Sequence, residues 1–115
     1  AKKNKKKSIT IWGSGKPKRE LIFVDDIADA CVFFMNKKIA YPLINIGTGI
    51  DKTILEYAKI LMSEFKIKLK IEYDKTKPDG VRKKLLDINL SKKYGWTAKT
   101  SLNQGIKKTL ESLNY

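Results

Sequence analysis

Short apolar runs along the chain predict four β-strands. Residues 8–12 and 69–73 alternate apolar with polar positions, as half-buried strands do. Residues 20–24 and 43–46 are largely apolar and are bounded by turn residues, which favours two more strands. A helical pattern lies between residues 43–46 and residues 69–73. It completes a strand–helix–strand unit, in which the strands are usually parallel. The pattern therefore predicts an α/β fold.

A helix is predicted directly after the second strand, with Asp25 or Asp26 as its N-cap. Apolar residues recur on one face of this helix at helical spacing. The stripe consists of Ile27, Cys31, Phe34 and Met35. It predicts a packed face, in which Cys31 is a small buried hydrophobe rather than a nucleophile.

Two capping boxes predict where the later helices begin. Thr53 with Glu56, and Ser101 with Gln104, have the spacing in which the hydroxyl and the longer side chain bond each other's backbone N–H. The predicted core faces are Ile54, Ala58, Leu61 and Phe65 in the first helix, and Leu102, Ile106, Leu110 and Leu113 in the C-terminal helix. A brief helix over residues 89–94 is predicted between them, closed by a glycine.

Length and composition limit the classes of protein that this chain can belong to. Its 115 residues suffice for one domain. We expect residues 1–8 to be a frayed or truncated start and residues 9–115 to form a single region. The sequence has no histidine and no spacing of carboxylates and cysteine that suits a metal. It has a single cysteine, no signal-peptide pattern and no apolar run long enough to cross a membrane, which predicts a cytoplasmic protein without a membrane partner.

The net charge of +13 suits an anionic partner such as nucleic acid. The 25 basic residues are nearly all lysines, and they occur in every polar stretch rather than in one block. We interpret this spread as compositional bias and favour it over a nucleic-acid surface. The two arginines are more informative, because a guanidinium grips a phosphate with two parallel hydrogen bonds.

Both arginines lie in two loops that differ from the rest of the chain. The glycine loop (residues 13–19) contains Arg19 and follows Trp12, and the partner loop (residues 75–84) contains Arg82 and a Pro-Asp-Gly turn. Trp12 is either a core aromatic at a strand end or a platform for a flat ligand. Together the loops predict a contact surface for a flat, anionic ligand.

Two motifs that suggest dinucleotide chemistry fail closer tests. Gly47-Thr48-Gly49 follows a predicted strand, but the third glycine and the acidic residue of a dinucleotide fingerprint are missing. Tyr73 and Lys77 have the Tyr-x-x-x-Lys spacing of a reductase, which requires one helix face. Pro78 directly after Lys77 disfavours a helix there. We read the first motif as a flexible turn and the second as coincidence.

Several further motifs resemble the C-terminal part of the GDP-L-fucose synthase family. They are Trp12-Gly13-Ser14-Gly15, Arg19-Glu20, Val24-Asp25-Asp26, Asn45-Ile46-Gly47, Lys77-Pro78-Asp79-Gly80 and Lys84-Leu85-Leu86-Asp87. Three of these motifs are typical of the extended short-chain dehydrogenase/reductase superfamily as a whole, namely Arg19-Glu20, Val24-Asp25-Asp26 and Asn45-Ile46-Gly47. The others point to the fucose synthases, and the similarity covers nearly all of residues 9–115.

The resemblance implies a substrate-binding role for this region. The family epimerises GDP-4-keto-6-deoxy-D-mannose at two carbons and reduces the ketone with NADPH to GDP-L-fucose. By this resemblance Trp12 offers the GDP-sugar an apolar face, Arg19 holds the pyrophosphate and Asp79 accepts hydrogen bonds, with Lys84 as a further candidate. The family's Rossmann core, which binds NADP and carries the catalytic residues, lies upstream, so neither catalytic nor cofactor-binding residues are expected in this chain. We therefore expect the region to be inactive alone, its parent to be a homodimer, and its partner to be the missing Rossmann domain.

One departure from the family pattern leaves the ligand open. The family usually has Thr-Pro-Arg-Lys after the Asp-Gly, where this chain has Val81-Arg82-Lys83-Lys84. Another nucleotide-sugar epimerase or dehydratase therefore stays an alternative. A small basic nucleic-acid-binding module is the non-enzymatic alternative.

Overall fold

A computed structural model describes residues 7–113, which group into two compact units. The first unit comprises residues 7–19 and 51–84, and the second comprises residues 20–50 and 85–113. Residues 1–6 of the predicted frayed start lie outside the described residues, while Ser8, its last member, begins a strand. Each unit is built from segments that are distant in the sequence.

Two pairs of strands belong to this part of the fold, and the first pair is parallel. Strand β1 (Ser8–Trp12) pairs in parallel with β4 (Lys70–Asp74), in a register that sets Ser8 opposite Lys70 and Trp12 opposite Asp74. A second pair joins β2 (Lys18–Glu20) and β3 (Asp51–Thr53). The strands predicted at 8–12 and 69–73 are thus confirmed to within one residue.

Helix α2 (Ile54–Glu64) follows β3 directly. Its predicted capping box is present: Thr53 Oγ1 accepts from Glu56 N at 3.1 Å, and Glu56 Oε2 accepts from Thr53 N at 2.7 Å. The buried residues of this unit include Ile11 on β1 and Tyr57 on α2. The Tyr57 hydroxyl donates to the Arg19 carbonyl at 2.8 Å, so the helix also anchors the end of the glycine loop.

The second unit is helical. It contains α1 (Val24–Met35), α3 (Asn89–Lys93) and α4 (Leu102–Ser112). Trp96 is its central aromatic, with 2% of its surface exposed and its indole Nε1–H donating to Asp29 Oδ2 at 2.8 Å. The brief helix, its glycine closure and the second capping box were predicted correctly.

The segment before α1 was predicted incorrectly. Strand β2 ends at Glu20 and α1 begins at Val24, with Phe23 as an N-cap that makes no side-chain cap bond. Asp26 is not a cap: its carboxylate accepts from Lys99 N, Thr100 N and Thr100 Oγ1 at 2.9–3.1 Å. A partner 73 residues away in the sequence therefore decides the role of this aspartate.

Two further predictions are corrected. Residues 43–46 form no strand, so the strand that precedes α2 is β3. Cys31 is exposed, and on α1 the buried residues are Asp26 and Ala30. The buried face of α1 is thus turned by one residue from the predicted stripe, because the Asp26 carboxylate is drawn to the backbone at residues 99–100. The α/β class is nevertheless confirmed, and α2 does lie between two strands, although β3 and β4 belong to different sheets and are not paired with each other.

Candidate functional site

Backbone hydrogen bonds join the glycine loop to the partner loop in the first unit. Lys18 N donates to the Arg82 carbonyl at 2.8 Å, and Lys84 N donates to the Lys18 carbonyl at 3.2 Å. Lys18 and Lys83 face each other in a parallel bridge. The two loops that differ most from the rest of the sequence therefore meet in space, although they are far apart along the chain.

The Asp79 side chain joins the partner loop to the start of the glycine loop by hydrogen bonds. Its Oδ1 accepts from Ser14 N at 2.5 Å and its Oδ2 accepts from the Ser14 hydroxyl at 2.7 Å. These hydrogen bonds, with a smaller contribution from the Lys16 charge, hold the pKa of Asp79 below its ordinary value despite partial desolvation. Gly13 at this joint has a φ of +71°, and a Cβ placed on it would overlap the Asp79 carboxylate.

Arg19 braces both loops from within the unit. Its Nη1 donates to the carbonyls of Lys18 and Val81, each at 2.7 Å. Both bonds use the same nitrogen, and a guanidinium carries five N–H donors in total. The side chain is thus oriented by the protein while keeping donors for an anion.

Trp12 is a surface residue in this structure, with 70% of its area exposed at the end of β1. Of the two readings of this residue, the core reading is wrong. The Nζ of Lys77 lies 5.5 Å from the centroid of its ring, within the range of a cation–π contact. An indole held at a strand end with a cation above it offers a flat face to a ligand.

Lys84, the fourth predicted site residue, is exposed, and only its backbone N–H enters the loop pairing. All four predicted residues belong to the first unit. Asp79 and Arg19 are connected through the paired loops. Trp12 and Lys84 are placed on the segments that flank this joint, and within residues 7–113 neither side chain forms a hydrogen bond or ion pair with another predicted site residue.

The pairing of the loops also creates a cleft that the sequence did not reveal. It has a volume of about 700 Å³ and is lined by Lys16, Pro17, Lys18, Asp79, Gly80, Arg82 and Lys83. We call it the basic cleft. Its lysines and Arg82 come from both loops; in the sequence the arginine stood out, but the three lysines were indistinguishable from the other lysines of the chain. Only the cross-loop pairing of Lys18 with Lys83 brings them together.

The Gly47-Thr48-Gly49 turn in the second unit does not fit a dinucleotide phosphate. The N–H groups of Thr48 and Gly49 both donate to Glu20 Oε1 at 2.6 Å. A Cβ on Gly47 would lie 2.5 Å from the same oxygen. The turn is a cradle for an internal carboxylate, which agrees with the flexible-turn reading.

None of the helices within residues 7–113 has the length and apolar character that a bilayer span requires.

Comparison with known proteins agrees with this fold. The family model of the NAD dependent epimerase/dehydratase family matches residues 1–47. A GDP-mannoheptose C4 reductase from Campylobacter jejuni, solved with NADP bound, superposes with a TM-score of 0.82 at 31% identity, covering 95% of this chain and 35% of that one. A UDP-glucose 4-epimerase from Thermotoga maritima, solved with UDP-glucose, has a TM-score of 0.84 at 31% identity over 93% of this chain and 35% of its own. The chain therefore belongs to the NAD dependent epimerase/dehydratase family of extended short-chain dehydrogenases/reductases.

Within that family the chain is similar to part of a GDP-L-fucose synthase. GDP-L-fucose synthase 1 of Arabidopsis thaliana is 40% identical over 111 residues, which are 96% of this chain and 34% of that protein. The chain thus spans about a third of the length of the curated relatives it matches. The family resemblance carried by the motifs at Trp12 and Lys77 is confirmed.

Proposed function

We propose that this chain is the nucleotide-sugar-binding region of a GDP-L-fucose synthase-like enzyme. The parent enzyme would epimerise GDP-4-keto-6-deoxy-D-mannose at two carbons and reduce it with NADPH. The observation that carries the proposal is the joint between the glycine and partner loops, where the oriented guanidinium of Arg19 lies on the segment that follows the exposed Trp12. The similarity to GDP-L-fucose synthases over 96% of the chain supports the same ligand class.

Each predicted site residue has a role that its surroundings support. Trp12 would offer its exposed face to the ligand, and Arg19 would hold the pyrophosphate with the donors it does not use on carbonyls. Lys84 would add a second positive charge. Asp79 would accept hydrogen bonds from the ligand, because a carboxylate has about four acceptor positions and Ser14 occupies two of them.

The proposal assigns no chemical step to this chain. NADP would be held by the part of the enzyme that lies upstream in the family, and the Gly47-Thr48-Gly49 turn, whose sequence suggested a dinucleotide, is occupied by Glu20. We therefore expect no NADPH oxidation by the chain alone with GDP-4-keto-6-deoxy-D-mannose as substrate. A turnover signal from the chain alone would overturn this part of the proposal. A homodimeric parent and a cytoplasmic location also belong to the proposal, the latter supported by the single cysteine, which leaves no internal disulfide.

The ligand class is tested by titrating the parent chain and the Arg19→Ala variant with GDP-L-fucose and measuring the binding by calorimetry. Loss of a charge-assisted bond to the pyrophosphate is expected to weaken binding about 10-fold or more. Trp12→Ala is the second variant, because the exposed Trp12 indole makes no side-chain hydrogen bond within residues 7–113 whose loss could disturb the fold. Lys107→Ala, an exposed position on α4 in the other unit, is the matched charge control and should bind as the parent does.

The same variants separate the alternatives. A nucleic-acid-binding module predicts tight binding to any duplex, weakening steeply with salt, and nearly equal loss in Arg19→Ala and Lys107→Ala because each removes one charge of 13. Selective loss for GDP-L-fucose in Arg19→Ala contradicts that reading. Titration with UDP-glucose distinguishes the other enzyme alternative, which the similarity to the UDP-glucose 4-epimerase favours. Tighter binding of the uridine than of the guanosine ligand would move the assignment to that class.

A further inference from the structure

The turn that follows β4 brings Lys77 to the side of Trp12. Trp12 is the last residue of β1 and lies opposite Asp74, the last residue of β4. The Asp74 carbonyl accepts from Gly13 N at 2.8 Å and from Lys77 N at 3.3 Å. One backbone acceptor thus holds both Lys77 and the residue that follows the tryptophan.

The backbone around Lys77 is fixed on both sides. Before it, Asp74 Oδ1 accepts from the Thr76 N–H at 3.0 Å and from the Thr76 hydroxyl at 2.5 Å, which closes the turn. After it comes Pro78, and a residue that precedes proline is restricted to extended conformations. The backbone of Lys77 therefore has few alternative conformations.

A second attachment to the glycine loop lies beyond the proline. Asp79 accepts from both the N–H and the hydroxyl of Ser14. Residues 74–79 are thus fastened at both ends to two consecutive residues of the glycine loop. The position of Lys77 beside Trp12 follows from these contacts, and not from the mutual attraction of two exposed side chains alone.

The ammonium of Lys77 has the Trp12 indole as its neighbour. Its Nζ lies over the ring, 5.5 Å from the centroid, and within residues 7–113 no carboxylate forms an ion pair with it. A cation over an aromatic face is attracted by the charge distribution of the ring, which favours one orientation of the indole. Because the ammonium covers one face, a flat ligand would stack on the opposite face.

We propose that Lys77 is a positioning residue for the nucleotide-sugar, because it orders the Trp12 indole with one face presented to the ligand. This inference rests on the proposed function, in which Trp12 is the apolar platform of the site. An indole that is ordered before binding loses less conformational freedom when the ligand arrives, and this raises the affinity. Lys77 acts through Trp12 and not through a contact of its own with the ligand.

The first experiment is a calorimetric titration with GDP-L-fucose. Lys77→Met keeps the length of the side chain and removes its charge, and it is expected to weaken binding about two- to fivefold, the effect of an exposed cation–π contact. Lys77→Arg should bind as the parent does, because a guanidinium also stacks on aromatic faces. Lys75→Met is the matched control: it removes the same charge from an exposed position in the same loop and should leave the affinity nearly unchanged.

A double-mutant cycle separates positioning from direct contact. In the Trp12→Ala background, Lys77→Met should cause no further loss of affinity, because the lysine then has no indole to order. An equal loss in both backgrounds would overturn the proposal, since it would show that Lys77 acts on the ligand without Trp12.

Tryptophan fluorescence tests the contact without any ligand. Trp96 is only 2% exposed, so an added quencher reaches chiefly Trp12. Iodide is attracted by a nearby ammonium, and Lys77→Met should therefore lower quenching by iodide relative to quenching by neutral acrylamide, more than Lys75→Met does. Equal iodide quenching in the parent and Lys77→Met would show that the ammonium is not held at the ring.

The outcomes also distinguish this inference from the proposed function. A parent chain that does not bind GDP-L-fucose contradicts the proposed function, and the inference fails with it. A parent chain that binds, and that loses affinity in Trp12→Ala but not in Lys77→Met, contradicts the inference alone. Circular dichroism of each variant excludes unfolding as the cause of a loss.

Discussion

At the scale of single residues, Glu20 joins several segments of the second unit by hydrogen bonds, a role that no sequence motif indicated. Its Oε1 accepts from the N–H groups of Thr48 and Gly49 and from the Thr48 hydroxyl, and its Oε2 accepts from Leu86 N at 3.0 Å. Desolvation raises the pKa of this carboxyl. The hydrogen bonds from Leu86, Gly49 and Thr48 lower it by more, so the pKa lies below the ordinary value of 4.5. One side chain thus joins the end of β2 to two separate loops.

Glu20→Gln is expected to destabilise the fold by about 1–3 kcal/mol at neutral pH, because the amide would turn a donor toward the Leu86 N–H. A carboxyl group whose pKa is lower in the folded than in the unfolded state stabilises the fold at pH values above its unfolded-state pKa. This stabilisation is lost as the pH falls through its folded-state pKa. The difference between the variant and the parent should therefore shrink below pH 4.5. Urea unfolding across this range measures it, with Glu111→Gln on the exposed face of α4 as control. A difference that does not depend on pH would contradict the role of the charge.

Gly13 shows why the glycine loop needs glycine. Its φ of +71° is costly for other residues, and a Cβ would meet the Asp79 carboxylate that pins the two loops. We predict that Gly13→Ala destabilises the chain by about 1–3 kcal/mol through backbone strain and the displaced carboxylate. Gly80→Ala is the comparison: its φ is +69°, but the nearest atom that a Cβ would meet, Arg19 Nη2, is 3.7 Å away. Equal losses at both positions would assign the effect to backbone strain alone.

At the scale of elements, the capping boxes are local devices whose effect can be isolated. Thr53→Ala removes the acceptor for Glu56 N and should cost about 1 kcal/mol of stability, whereas Thr53→Ser should keep most of it. Thermal unfolding followed by circular dichroism measures the loss. The equivalent change Ser101→Ala in α4 should behave alike, because the geometry is the same. A Thr53→Ser variant as unstable as Thr53→Ala would show that the methyl group, not the cap, matters.

At the scale of the whole molecule, charge is the dominant feature. The chain carries 25 basic and 12 acidic side chains, and a net charge of +13 destabilises a compact state through self-repulsion. We therefore expect the urea midpoint to rise when sodium chloride is increased from about 0.05 M to about 0.5 M, since screening reduces the repulsion. Lys107→Glu, which lowers the net charge by two, should reduce the size of this increase. A midpoint that falls with salt would mean that attractive ion pairs outweigh the repulsion.

How far the sequence predicts this protein depends on the range of the interactions involved. The capping boxes, the two strands of the parallel pair and the closure at Gly95 follow from neighbours within a few residues, and all were predicted correctly. The strand at 43–46 and the buried position of Cys31 were wrong, because these segments have distant partners: Asn45 Nδ2 donates to the Asp87 carbonyl at 3.3 Å, and Asp26 on α1 accepts from residues 99–100. The family was recognisable from short motifs alone.

The candidate site divides in the same way. The sequence by itself determined the family, the α/β class and the two loops that carry Trp12, Arg19, Asp79 and Lys84, because glycine, proline and arginine are locally conspicuous residues. Only the tertiary structure decided that Trp12 is exposed, that Asp79 is bound to Ser14 and that Lys18 lies opposite Lys83. The physical reason is that the pairing of two chain segments some 60 residues apart sets which side chains share a face, and no local pattern encodes that register.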